Sequence, residues 1–256
     1  MMEVWAAVLI LYGVSTGIAM RSSSGFNRYL PLDMAENSVD DMYEDCEKQM
    51  MSKAKEYLKD EINKDSNFKK AWDIASNRYI RRRTLRKEQA MAIYVYTLDQ
   101  PEIYKDFNQA VRTQKSSYKT SFKYHALHFF LTSAIKILKT GCLTGYRKVN
   151  RYFSKDVLNK KIRFGSFTSS SLDHYPAGSK FGNKSCFEIE TCFGANITLY
   201  SKFGVHEKEL LIPPYEIFEV TKIETNPKEL LCEVVYKLKS TGHVRSDLNC
   251  ALLRNE

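Results

Sequence analysis

The chain has 256 residues, 43 % of them hydrophobic and 27 % charged. That length and balance suit a domain with a core of its own and exclude disordered, collagen-like and coiled-coil chains. Lysine and arginine outnumber the acids 39 to 30, a net charge of +9, but the cations are scattered. The densest run, Arg81, Arg82, Arg83, Arg86 and Lys87, reads as a solvated face or a surface anion patch rather than a nucleic-acid site.

The first twenty residues, MMEVWAAVLILYGVSTGIAM, carry no charge from Val4 to Met20 and end in small residues around Gly17 and Ala19. Polar dilution in their second half suits a cleaved signal peptide, residues 1–20, better than a membrane anchor. The six cysteines, Cys46, Cys142, Cys186, Cys192, Cys232 and Cys250, form no Cys-x-x-Cys pair, and the five histidines are dispersed. The pattern suits disulfides and an extracellular route, with no zinc cage. Sequons at Asn183 and Asn196 agree with that route. The final NCALLRNE is not a hydrophobic lipid-anchor tail. A secreted, soluble protein is expected.

From about residue 38 to 140 the pattern is helical. Met42, Cys46, Met50, Ala54 and Leu58 recur every four residues, one stripe of an amphipathic helix. Phe107, Ala110 and Val111 suggest a shorter helix. Leu127, Leu131, Ile135 and Leu138 mark a third, ending at Gly141 as a C-cap. From about 141 to 252 the period changes: CFEIETC alternates, ANITLYS is β-branched, KELLIPPYEIFEVTKIE reads as two strands around Pro213-Pro214, and LLCEVVYKLKS is one more. Helices first and strands second give an α+β fold, a single domain over 21–256.

Three features could carry chemistry. On an extended segment Glu207 and Glu209 share one face while Leu210 and Ile212 face a core, so two carboxylates could divide charge stabilisation and proton handling. Taken alone, such a pair is usually an exposed polar edge. The hydroxyl cluster in RFGSFTSSSL can position a carboxylate or phosphate, though it is also an ordinary polar turn. Arg147 at a strand end can fork onto phosphate.

In this order the three resemble the Arg … Ser … Glu-x-Glu signature of the vertebrate extracellular arginine-specific mono-ADP-ribosyltransferases. The likeness extends through LDMAENSVDDMYEDC, YTLDQPEIYKDFNQAV, FKYHALHFFLTSAI, FEIETCFGANI and KELLIPPYEIFEV to NCAL, roughly Leu32 to Leu252. It implies an antiparallel β-sandwich core behind the helices, with NAD in a cleft between two sheets. It implies transfer of ADP-ribose from NAD to arginines of extracellular proteins, releasing nicotinamide, with no metal and no nucleic acid, by a monomer without a stable membrane anchor. Position by position, Glu209 matches the catalytic glutamate and Glu207 the glutamate that orients the acceptor guanidinium and helps deprotonate it. Arg147 matches the NAD-holding arginine, and Ser169 the serine that orients Glu209. Tyr96, Ser166 and Ser201 match nicotinamide- and ribose-contacting positions, Phe181 an aromatic that stacks on nicotinamide, and Asn108 a further contact. Cys46–Cys250 and Cys142–Cys192 match the family's disulfides, while Cys186 and Cys232 are extra, either a third bridge or two thiols. Lys148 stands where the family usually has Gly, and Ser166 where it often has Gln. Two other functions stay open: an NAD glycohydrolase, against which Glu207 argues, and an inactive binding protein of the same fold. An acceptor that is itself an arginine also calls for the excess positive charge to lie away from Glu207.

Overall fold

The structure, a computed structural model, describes residues 29–176, 181–228 and 230–254. The expected signal segment lies outside them. Among the described residues five α-helices occupy the N-terminal part: α1 Glu47–Lys64, α2 Ser66–Arg78, α3 Lys87–Thr97, α4 Ile103–Thr113 and α5 His125–Leu138. Helix α1 buries Met50, Ala54, Leu58 and Glu61, the expected stripe moved one turn onward. Met42 and Cys46 precede the helix, because Tyr43 and Asp45 adopt φ of +57° and +66°, which an α-helix cannot accommodate. Asp65 ends α1 and starts α2, its carboxylate accepting from the backbone N–H groups of Asn67 and Phe68 as an N-cap. Helix α5 ends at Leu138 with Lys139 extended, so Gly141 is not its cap; the glycine turns the chain at φ +125° into the first long strand.

The strands are β1 Tyr29–Leu30, β2 Leu143–Val149, β3 Tyr152–Phe153, β4 Lys161–Ile162, β5 Thr168–Ser171, β6 Ser185–Thr191, β7 Ala195–Asn196, β8 Glu209–Ile212, β9 Glu216–Thr225 and β10 Val234–Val244. ANITLYS supplies only the two residues of β7. Asn196 Oδ1 accepts from the Thr198 N–H, and the Tyr200 and Ser201 N–H groups bond the Ile197 carbonyl, so local turn bonds take the place of a ladder. LLCEVVYKLKS becomes extended only from Val234.

Eight strands pair in the order β4-β9-β10-β6-β2-β5-β8-β7, while β1 and β3 form a separate parallel pair. All neighbours in the large ladder are antiparallel except β6 and β10. The chain leaves β6 to build β7, β8 and β9 before it returns, the long crossover that parallel neighbours require. One link is thin: β2 and β5 share a single register pair, Tyr146 with Ser171. Leu210 and Ile212 from the β5-β8-β7 side share an apolar core with Phe187, Ile189, Phe218 and Val220 from the other side. The two halves thus close on one another as a sandwich hinged at that link.

The opposite face of the short half, through Phe167, Ala195, Ile197 and Leu211, joins the helical core. There Phe107 stacks on Phe167, while Phe107 meets Tyr124 and Tyr43 meets Phe129 edge to face, arrangements aromatic rings favour. The chain ends are laced together. Arg163 forms a fully buried ion pair with Asp40 and also donates to the carbonyls of Met34, Ala35 and Arg245. Three disulfides join Cys46 to Cys250, Cys142 to Cys192 and Cys186 to Cys232. Cys186 and Cys232 therefore pair, bracing the start of β6 against the segment entering β10.

Candidate active site

A cleft of about 570 Å³ opens where β2 and β5 part, with Glu209 at the start of β8 in its lining; that volume suits a small organic ligand. Close approach of these strands depends on Gly145. A Cβ there would stand 2.3 Å from Ser170 Oγ and 2.8 Å from Leu210 Cδ2. Two residues on, Arg147 reaches over the gap and donates from Nη1 to the Ser169 carbonyl at 2.6 Å. Its remaining guanidinium donors meet no acceptor among the described residues. Burial lowers its pKa, opposed by nearby Tyr96 and Glu209, but a guanidinium stays charged regardless.

Glu207 and Glu209 do not sit on one extended face. A 3₁₀ turn covers Gly204–His206, Glu207 follows it at φ −107° and ψ −15°, and Lys208 takes a left-handed φ of +41° before β8 begins at Glu209. The alternation expected from sequence starts only at Glu209: Leu210 and Ile212 enter the sandwich core, and Leu211 enters the helical one. The turn, rather than strand pleat, brings Glu207 to the cleft beside Glu209. A side chain at positive φ is a local strain of the kind that collects at functional sites. Here Lys208 is held by its carbonyl, which accepts from the Leu172 N–H, and by its ammonium, paired with Asp173.

Glu209 is buried, and both carboxylate oxygens are taken. Ser169 Oγ donates to Oε1, and Ser201 Oγ donates to Oε2 at 2.9 Å. Burial raises its pKa; the two serine hydrogen bonds and Arg147 work against that, and Glu207 adds to it. The opposing influences describe a carboxylate fixed in direction, short of water, and held close to a cation.

The remaining sequence-named residues divide. Phe181 lines the cleft, and so does Lys148. Ser201 bonds Glu209 itself. Tyr96, Asn108 and Ser166 lie behind this layer and outside the lining. Tyr96 Oη donates to the Phe167 carbonyl and accepts from Asn108 Nδ2, and Ser166 Oγ accepts from Arg112 Nη2 at 2.6 Å. Arg112, absent from the sequence reading, lies close enough to depress the Arg147 pKa further. Its position at the end of α4 gave no motif to find it by. His174 and His206, also unremarked, line the cleft. Its lining carries Arg147, Lys148 and Lys208 against Asp173, Glu207 and Glu209, so formal charge balances there and the excess lies elsewhere.

Residues 32–239 match the family model "NAD:arginine ADP-ribosyltransferase". The ecto-ADP-ribosyltransferase 5 of Mus musculus is 36 % identical over 245 residues, covering 89 % of this chain and 77 % of that protein. Among solved structures, a mutant of the eukaryotic mono-ADP-ribosyltransferase ART2.2 in complex with NADH superposes with a TM-score of 0.70 at 31 % identity, over 86 % of this chain and 98 % of the other. A second ART2.2 mutant, in complex with NAD, gives 0.67 at 30 % identity over the same shares.

Proposed function

The chain belongs to the NAD:arginine ADP-ribosyltransferase family, and on that premise we propose that Arg147, Ser169, Glu207 and Glu209 carry out its reaction in the cleft between the sheet halves. The protein is an ADP-ribosyltransferase with NAD as its co-substrate. The observation that carries the residue assignment is the clamp on Glu209: one buried carboxylate held at both oxygens, with a guanidinium beside it and a second carboxylate on the adjoining turn.

Arg147 and Phe181 suit the two chemistries of NAD, a pyrophosphate and a flat aromatic ring. Glu209 faces the positive charge that grows on the ribose as the bond to nicotinamide breaks, and nicotinamide departs neutral with the bonding electron pair. A fixed carboxylate in a site poor in water stabilises that charge without reorganising. Ser169 and Ser201 keep it aimed. The acceptor guanidinium, with a pKa above about 12, needs to lose a proton before it can attack. Glu207, carried by a turn rather than fixed in the ladder, takes that proton as the new nitrogen–ribose bond forms.

The acceptors in this reading are arginines on extracellular proteins. Three disulfides and the ecto-enzyme relatives support an extracellular location, reached through a signal peptide at 1–20. The test follows label from adenine-tagged NAD into an arginine-rich acceptor, with wild type beside Glu209→Ala and Glu207→Gln. Glu209→Ala should abolish both labelling and nicotinamide release. Glu207→Gln should release free ADP-ribose in place of labelled acceptor. Nicotinamide release by wild type without labelling would overturn the transferase reading in favour of a glycohydrolase.

A further inference from the structure

The loop between α2 and α3, with the helix ends that flank it, holds the densest group of cations among the described residues, and they form no ion pair there. Arg78, Arg81, Arg82, Arg83, Arg86 and Lys87 are all exposed, and none meets a carboxylate among the described residues. The one acid lining their surface pocket, Glu88, is engaged by Lys55 at 3.2 Å. Elsewhere exposed lysines commonly find a partner, as Lys69 does with Asp73 and Lys105 with Glu102. Like charges packed together without counter-ions repel one another unless something anionic lies over them.

This loop borders the site. A small cleft of about 160 Å³ is walled on one side by Arg78, Ile80 and Arg82 and on the other by Leu199, Tyr200 and Ser201. The Arg82 guanidinium lies 5.9 Å from the centre of the Tyr200 ring, within cation–π range. Ser201 is the residue that bonds Glu209, and four to six residues on, Val205, His206 and Glu207 line the catalytic cleft. The segment 199–207 is thus a shared wall between the cationic loop and the catalytic cleft. Its base is pinned to the end of α3, where the Lys202 N–H donates to Thr97 Oγ1 and its ammonium pairs with Asp99. Exposed apolar side chains stand on both walls: Ile80 on the loop is 70 % exposed, and Leu199 and Val205 on the segment are 64 % and 67 % exposed. Ile80 and Leu199 line the small cleft and Val205 lines the catalytic one, so apolar surface is offered to a partner at both.

We infer that the α2–α3 loop is a docking surface for an acidic segment of the acceptor protein, which seats on Arg81, Arg82 and Arg83 while the target arginine enters beside Glu207. This rests on the arginine-transfer reading and deepens it: the enzyme selects acceptors by negative charge at a distance from the modified arginine. The division is physically sensible. A cationic cleft would repel a guanidinium, whereas a cationic surface set back from it attracts the acidic flank and leaves the cleft neutral.

The test compares a small guanidine, agmatine, with arginine peptides bearing an acidic, a neutral or a basic flank, using wild type and Arg81→Glu/Arg82→Glu/Arg83→Glu. Wild type should favour the acidic flank over the neutral one by about tenfold in kcat/KM, the preference shrinking as salt rises. The variant should lose that preference and modify agmatine as wild type does. Equal use of all peptides by wild type, or equal losses on agmatine and peptides in the variant, would overturn the proposal. If wild type modifies no guanidine at all, the arginine-transfer reading fails separately. Peptide binding by fluorescence anisotropy then still decides the docking: acidic-flank binding that the variant loses supports it, and its absence overturns it. Heparin retention lost in the variant, with no peptide preference in wild type, would assign the loop to a sulfated glycan and also overturn it.

Discussion

Glu61 in the helical layer and Glu209 at the parting of the sheet are both buried carboxylates whose pKa burial raises. Their partners differ. Glu61 lies at the start of α5, where Tyr124 offers no side-chain cap; its Oε1 accepts from the Ala126 N–H at 3.0 Å, with His125 and Leu127 N–H groups also favouring its charge. It does from a neighbouring helix what an N-cap residue does from within one, and it is sealed in the core. Glu209 is held by two side-chain hydroxyls and faces an open cleft. A perturbed carboxylate therefore does not mark chemistry by itself. What separates the two is access for a ligand and partners that fix direction without closing the site.

Substitutions can break that contrast, beginning with the largest effect. Glu209→Gln keeps the shape but removes the charge, so nicotinamide release should fall by about a thousandfold or more, as for loss of a preorganised electrostatic group. Thermal unfolding should show stability unchanged or improved, because a desolvated charge has gone. Glu61→Ala should do the opposite. It leaves buried N–H donors unpaired, so urea unfolding should report a loss of about 2–3 kcal/mol, while the turnover of the folded fraction stays the same. Ser201→Ala frees one Glu209 oxygen and should lower kcat about tenfold with little change in KM. Equal falls in kcat and stability would mean that Ser201 is merely structural.

The smallest effect is in pH dependence. Glu61 has its pKa pushed up to about 8, from 4.5 in an unfolded chain. Between those values the folded protein holds a proton that the unfolded one has released, so stability falls as pH rises. The stability of wild type relative to Glu61→Gln should decline by about 1 kcal/mol per pH unit between roughly 6 and 7. A flat difference across that range would show that the α5 N-terminus keeps Glu61 ionised throughout.

Legibility of the sequence followed the physics of each element. Helix α4 turns one apolar stripe to the core, Ile103, Phe107, Ala110 and Val111, and a period of that kind is readable in a single chain. Helix α3 is buried at nearly every position from Gln89 to Thr97, so no polar face marks where it begins or ends. The Glu-x-Glu pair was visible as two letters, but the turn that separates their directions depends on a left-handed Lys208 that no residue type announces. Ser169 reaches Glu209 because β5 pairs with β8, and Ser201 because a turn at Ile197 folds it back, facts of topology rather than of spacing. Arg112 and the unpaired loop cations needed the structure for a different reason: proximity to Arg147, and the lack of an ion pair among the described residues, are properties of space.

The Cys46–Cys250 bond spans 204 residues, and around it Met42 N–H donates to Ser246 Oγ, Glu44 N–H to Asn249 Oδ1 and Cys250 N–H to Asp41 Oδ1. Covalently this makes the chain from Cys46 to Cys250 a closed ring. A single backbone cut inside it, in the exposed run Arg81 to Arg83, leaves the two pieces joined through that one bond. Such a nick would separate them only under reducing conditions.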